Sequence, residues 1–321
     1  MRQLNIYSFH RNINQFRFDA HNTYNLIQRL NKKYDVVWHN KEGSDNFHYV
    51  NDCDVLINQG SIVIFEFDDT KEFKTFDFGD SPSLTVELAK SKNFVGAAIG
   101  QYNDKLWDDV IKNEVIRKNV KPSIYPETYW DFGIQNFSSV QEYRNDIELD
   151  TRLYWRGSTY KNHPNSQYNG VRDVLYHISD ALDNFYFADY PISFDQYIQE
   201  AIKFKLVLGI GGGGGYLCGD FCFRDIEMFG LGIPVIRPKF AAQTADPLLP
   251  NVHYIAVDCE FDEQFKYKNP EKLANDVIDR YNEVVNDDKF LSTIANNARN
   301  WYIRNNSSEY ITDKILESLG I

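Results

Sequence analysis

KLVLGIGGGGGYLCGDFCFRDIEMFGLGIPVI, residues Lys205 to Ile236, runs from an apolar strand through a glycine run, Gly211 to Gly215, into a helix and out to another strand. The helix opens near Asp220, carries Arg224 and Glu227, and gives way to Gly232 and Pro234. Strand, glycine loop and helix together supply what a nucleotide diphosphate needs. Glycines let the backbone approach phosphate oxygens. A helix N-terminus offers unpaired N–H groups and positive dipole. A carboxylate two turns inside the helix, Glu227, is placed to accept hydrogen bonds from ribose hydroxyls. The plain alternative is a glycine-rich surface loop; loops of this kind in α/β sheets usually sit at the ligand edge.

Outward from this stretch, the pattern remains α/β. Arg152–Trp155, Phe185–Ala188, Pro234–Arg237 and Tyr254–Val257 read as strands. Asn169 begins a helix to Leu182, and Ser193 with Gln196 forms a capping-box pattern for the next. The tail reads as three helices: Pro270–Asn286, Asp288–Arg304 and Ser308–Leu319. The first part alternates too, with strands at Leu4–Ser8, Asp35–Trp38, Asp54–Ile57, Ser61–Phe67 and Phe94–Ile99. Helices are expected at Asp19–Lys32, Ser83–Ser91 and Asp104–Arg117. Such alternation predicts a mostly parallel sheet covered by helices. Between Val120 and Arg144 the pattern breaks around Pro122 and Pro126, which reads as a linker or excursion. The expected division is 1–125, a linker at 126–150, 151–300, and a C-terminal helix at 301–321 that packs back on the first domain.

Composition narrows the function classes. The chain has 321 residues, 43% hydrophobic and 15% aromatic, with a net charge of −12. That balance argues against broad nucleic-acid binding, which needs a basic field. No apolar run reaches the ~18 residues of a membrane span, and the start, MRQLNIYSFHRN, has no secretory h-region. The cysteines, Cys53, Cys218, Cys222 and Cys259, lack paired metal-site spacing and suit a reducing, cytoplasmic compartment.

Leu153-Tyr-Trp-Arg156-Gly157-Ser158-Thr159, followed by Arg172, is the next chemical pattern. A guanidinium, a flexible backbone and a hydroxyl at a strand end are good metal-free phosphate ligands. Arg172 is equally readable as a solvated surface residue, and Arg224 with Glu227 as an i,i+3 ion pair. Arg237 and Lys239 either add positive charge at the same edge or lie on the surface.

The Glu227…Gly232…Pro234 spacing resembles the nucleotide-sugar signature of glycosyltransferases with the GT-B fold. The Trp-Arg-Gly-Ser…Arg arrangement looks like the exostosin and protein O-glucosyltransferase-like branch of that class. The resemblance covers Arg152 to Ile236 well and the rest in topology only. It implies two Rossmann-like domains facing a cleft. It also implies a nucleotide-sugar donor on the second domain, held by Arg156, Gly157, Ser158, Arg172, Arg224 and the loop Gly211, Gly212, Gly213 and Gly214, with Glu227 on ribose. No divalent metal or other cofactor is expected in this design. Retaining members often carry a second glutamate eight positions before the ribose-binding one; here that position is Gly219, beside Asp220, which tilts the reading toward inversion.

An inverting transfer needs a general base for the acceptor hydroxyl of a glycan or other molecule. The acidic stretch from Glu66 to Asp80 follows a buried-looking strand, and the expected base is Asp80, with Asp69 second. For any single one of these acids a solvated surface residue is the commoner outcome. His10 is a further candidate, and Trp107, Tyr125, Tyr129 and Trp130 are candidates to stack on sugar rings or fill cores. Asp52-Cys53-Asp54 spells a metal-binding DxD but reads as a turn.

Gly209-x-Gly211-x-x-Gly214 spells a dinucleotide fingerprint. The next strand ends in Arg237, which suits the 2′-phosphate of NADP. The rival readings are therefore an NADP-dependent oxidoreductase using Gly209–Gly215 and a non-catalytic nucleotide- or glycan-binding protein. A DNA-modifying sugar transferase stays open within the first class.

Overall fold

A computed structural model describes residues 1–10, 26–42, 47–50, 54–57, 62–77, 83–100, 102–104, 107–108, 111–123, 130–159, 170, 172–190, 192–211, 221–263, 266–305 and 307–321. The chain divides into two compact units, Met1–Thr128 with Ala242–Pro247 and Asn305–Ile321, and Tyr129–Ala241 with Leu248–Arg304. Each is α/β and built on its own main sheet, the class expected from the alternation.

The first unit holds β1 (Arg2–His10), β2 (Tyr34–Glu42), β5 (Ile62–Phe67), β6 (Phe73–Asp77), β7 (Phe94–Ile99) and β8 (Val120–Pro122) in the order β2-β1-β5-β6-β7-β8. A separate antiparallel ladder joins β3 (Phe47–Val50) and β4 (Asp54–Ile57). The main sheet is mostly parallel, as expected, in three of its five pairings, with one reversed strand: β5 runs against both β1 and β6. The cause is a short hairpin through Asp68–Glu72, with Lys71 at φ 58, that turns β5 straight back into β6. The sequence reading merged β6 into an acidic stretch and so missed the reversal.

Leu4, Ile6, Phe65, Phe67 and Phe76 form one face of this sheet. They pack against Leu26, Ile27 and Leu30 and against Ile311, Ile315 and Leu319. The last three come from the C-terminal helix, whose Lys74 contact on β6 (Nζ to the Leu319 carbonyl, 2.5 Å) completes the docking. The opposite face buries Ile62, Ile64, Phe73, Ala97, Ile99 and Trp107. Trp107 is fully buried core and so is not available to stack on a sugar. The helix expected over Asp104–Arg117 is interrupted. Asn113 adopts an extended backbone and caps α2 (Glu114–Lys118), its side chain accepting from Val115 N at 3.0 Å and Ile116 N at 3.3 Å. A further helix of this unit is α1 (Ser83–Leu88).

The second unit opens with α3 (Trp130–Asp146), within the segment read as a linker. Its apolar positions are sparse, and tertiary contacts hold it. Gln141 Nε2 donates to the Leu231 carbonyl at 2.9 Å, and Arg144 donates to the carbonyls of Ile202 and Phe204 at 2.8 Å each. There follow β9 (Asp150–Arg156), α4 (Val174–Ala181), β10 (Phe185–Ala188), α5 (Phe194–Ala201), β11 (Phe204–Leu208), α6 (Phe223–Gly230), β12 (Val235–Pro238), β13 (Ile255–Val257), α7 (Pro270–Val284) and α8 (Asp288–Asn305). The chain ends in α9 (Ser308–Leu319), the helix docked on the first unit.

Every pairing in the second sheet is parallel, and the order is β10-β9-β11-β12-β13. One face of Leu153, Trp155, Leu206, Leu208 and Ile236 is covered by α4 and α7. On the other face Tyr154 packs on Tyr197 of α5, and α6 lies against β12. The capping box of α5 is present, with Ser193 and Gln196 bonded reciprocally. The strand order reverses between β9 and β11. In open α/β sheets the crevice at the carboxyl ends of such a pair is where ligands bind.

Candidate functional site

The carboxyl ends of β9 and β11 place most of the sequence-derived residues together. β9 ends in Arg156 and runs into Gly157 and Ser158; β11 runs into Gly209, Ile210 and Gly211, all buried. Gly212, Gly213 and Gly214, like Asp80, lie outside the described residues. The helix after the glycine run is α6, with Cys222 at its N-cap position and Arg224, Asp225 and Glu227 in its first turns.

Arg224 crosses the crevice. Its guanidinium carbon lies 5.3 Å from the centre of the Trp155 ring and 5.6 Å from that of Tyr197. A β-carbon on Gly157 would meet its Nη2 at 2.6 Å, so the glycine opens the space that the guanidinium occupies. Gly157 also has φ +153, a backbone that L side chains rarely adopt. Arg224 Nε is buried without an acceptor, and among the described residues no carboxylate pairs with it. The i,i+3 pair with Glu227 does not form.

Glu227 is 8% exposed, and among the described residues no hydrogen bond engages its carboxylate. Burial pushes that carboxyl up to about 7, against the pull of Arg224. Arg172 is buried, just before α4, with its Nη1 donating to the Ser158 carbonyl; it is not a solvated surface residue.

Arg156 is differently engaged. Its Nε and Nη2 donate to the two carboxylate oxygens of Glu200 at 2.8 and 2.9 Å, and Nη2 also reaches Tyr186 Oη at 3.1 Å. Burial works against its charge, and Glu200 with Tyr190 more than offsets this, leaving the guanidinium raised above its ordinary value. Glu200, contributed by α5, had no mark in the sequence, because the pair spans 44 positions.

Asp225 was missed, and Arg237 was read in other roles. Asp225 and Arg237 form an ion pair in which both side chains are fully buried. Arg237 also donates from Nε to the Pro238 carbonyl at 3.0 Å and lies over the Phe240 ring at 3.4 Å. Full burial excludes a surface charge and a ligand for an NADP 2′-phosphate, and Asp225 balances the positive charge that Arg237 was read to add at the site edge. The pair also accounts for the first glycine of the dinucleotide-like match. A β-carbon on Gly209 would meet Asp225 Oδ1 at 2.3 Å and Arg237 Cβ at 3.1 Å.

Asp69 lies in the first unit, in the β5–β6 hairpin, with its side chain 58% exposed and paired to Arg2 at 2.8 Å. The sequence reading put it at a strand end where sites gather. Because β5 is reversed, that end is the amino edge of the parallel strands, with Leu4 opposite Phe67. Asp77, buried at the end of β6, accepts from Thr85 Oγ1 at 2.7 Å and marks the carboxyl edge instead. Of His10 only the backbone is described. Among the described residues, no group of three or more His, Cys, Asp or Glu side chains is arranged to hold a metal ion, and no helix is long and apolar enough to cross a membrane.

No family model matches the sequence, and no curated protein matches it. Solved structures do resemble the fold. HepE of Anabaena in complex with UDP aligns with TM-score 0.45 and 12% identity over 74% of this chain and 66% of that one. A glycosyltransferase from Rickettsia africae aligns with TM-score 0.40 and 13% identity over 69% and 62%. The wall teichoic acid polymerase TagF aligns with TM-score 0.32 and 9% identity over 98% and 88%. The chain spans 63% to 66% of the length of the HepE chains that it matches.

Proposed function

We propose that the protein is a GT-B glycosyltransferase that moves a sugar from a nucleoside-diphosphate sugar to an acceptor hydroxyl, with inversion and without a divalent metal. The observation that carries this reading is Arg224, a guanidinium held over two aromatic rings at a switch point with no ion-paired carboxylate among the described residues. A cation so placed favours an anion in the crevice. The glycine run and the N-terminus of α6 lie beside it in sequence, and Arg172 and Ser158 line the opposite strand end.

In this reading Arg224, Arg172 and the glycine loop bind the diphosphate and stabilise it as leaving group. Glu227 accepts from the ribose hydroxyls. Arg156 contributes less charge, because Glu200 already balances it. The acceptor hydroxyl attacks the anomeric carbon and loses its proton to Asp80; Asp69, paired to Arg2 at the amino edge, fits that task poorly.

The test is a thermal-shift series with UDP, GDP, ADP, their sugar conjugates and NADP, each with and without EDTA. A nucleotide-sugar shift that survives EDTA and disappears in Glu227→Ala is the expected result. Stabilisation by NADP alone would overturn it.

A further inference from the structure

We propose that Asp189 is a positioning residue for the loop after β9 and thereby sets the affinity of the crevice for a diphosphate. This inference rests on the diphosphate reading of the site. Asp189 follows the last residue of β10, Ala188. Its Oδ1 accepts from Thr159 N at 2.8 Å and its Oδ2 from Thr159 Oγ1 at 2.7 Å. Tyr176 Oη, from α4, donates to Thr159 Oγ1 at 2.6 Å and reaches Asp189 Oδ2 at 3.1 Å.

The neighbouring residues are pinned as well. Gly157 N donates to the Ala188 carbonyl at 3.1 Å, and the Ser158 carbonyl accepts from Arg172. Three consecutive loop residues are therefore fixed, two of them by the end of β10. The loop so fixed is the one whose Gly157 makes room for Arg224. The choice of partner is informative. Three arginines, Arg156, Arg172 and Arg224, stand around this crevice, yet Asp189 spends both oxygens on neutral donors, Thr159 of the loop and Tyr176 of α4. A carboxylate used in this way orders the backbone of the loop and does not pair with Arg224.

An asparagine at 189 keeps the shape but turns one acceptor into a donor facing the Thr159 donors. Loss of a hydrogen bond to a charged acceptor corresponds to a factor of ~10 to 100 in the population of the ordered loop. The experiment compares wild type, Asp189→Asn and Thr159→Val. It titrates inorganic pyrophosphate and UDP, GDP and ADP by calorimetry, and the matching nucleosides by ligand-observed NMR.

Asp189→Asn is expected to weaken pyrophosphate and nucleoside-diphosphate binding about tenfold or more while nucleoside binding stays within twofold. A purely structural role would lower both together, and that result overturns the proposal, as does diphosphate affinity within twofold of wild type. If Asp189→Asn does not fold, Thr159→Val, which keeps the backbone bond, decides: a selective loss of about threefold or more supports the role, and none overturns it. A wild-type protein that binds neither pyrophosphate nor any of these nucleotides overturns the diphosphate reading itself, and the proposal with it.

Discussion

Arg224 and Gly157 occupy complementary space: the Nη2 of the arginine lies 2.6 Å from where a β-carbon on the glycine would stand. A single methyl group is thus enough to expel the guanidinium from its seat on Trp155. Gly157→Ala is expected to weaken nucleoside-diphosphate binding at least tenfold, about 1.4 kcal/mol. Backbone strain at φ +153 should lower stability by about 1–3 kcal/mol. Titration calorimetry and thermal unfolding on the same preparation separate the two effects.

The buried pair behind Gly209 makes a different prediction. Removing Asp225 takes away the carboxylate paired with the buried Arg237 guanidinium. Asp225→Ala should cost about 3–5 kcal/mol, whereas the double variant Asp225→Leu/Arg237→Met should recover most of that loss. Urea unfolding of the three proteins checks it. Equal destabilisation by the single and double variants would contradict the account.

Glu227 gives the site a pH dependence whose sign is fixed. Burial raises its carboxyl from 4.5 to about 7, so the folded protein holds a proton that the unfolded chain has already released. This group therefore lowers stability as pH rises from about 4.5 to about 7, by on the order of 3 kcal/mol, and the full cost persists above 7. Glu227→Gln should flatten that part of the stability profile and stabilise the protein at pH 8. Denaturant unfolding from pH 5 to 8, at intervals of about half a unit, reads both effects.

Arg144 offers a control in which stability and ligand binding part company. It donates to two backbone carbonyls and has its guanidinium lowered to about 10 by burial. Arg144→Met should destabilise the second unit by about 2 kcal/mol and leave nucleotide affinity unchanged. A large loss of affinity would show that α3 reaches the crevice in some other way.

Much of the architecture is legible in the sequence where periodicity and caps are local. The box Ser193–Gln196, the limits of α9 at Ser308 and Leu319, and the strand Phe185–Ala188 all follow from neighbours within one turn. What was not legible depends on distant partners. α3 has a weak apolar face and is held by carbonyls that Gln141 and Arg144 reach 58 to 90 positions away. β6 looked like acidic loop because its two apolar residues, Phe73 and Phe76, stand three apart, off the period of two that marks a strand, beside a carboxylate run. At the site, Arg224, Glu227, Gly157 and Ser158 stand out by residue type and spacing. Their pairing does not: the claim of Glu200 on Arg156 and the burial of Arg237 by Asp225 arise only when β9, α5, α6 and β12 meet.

The central claim is that the crevice between β9 and β11 takes a nucleoside diphosphate sugar through Arg224. The most direct measurement is calorimetric titration of wild type and Arg224→Met with nucleotide sugars and NADP in the presence of EDTA. The account predicts a nucleotide-sugar complex in EDTA that is weakened about thirtyfold or more by Arg224→Met, the loss expected for one charged contact. Equal affinity in the two proteins, or binding of NADP with no binding of any nucleotide sugar, would contradict it.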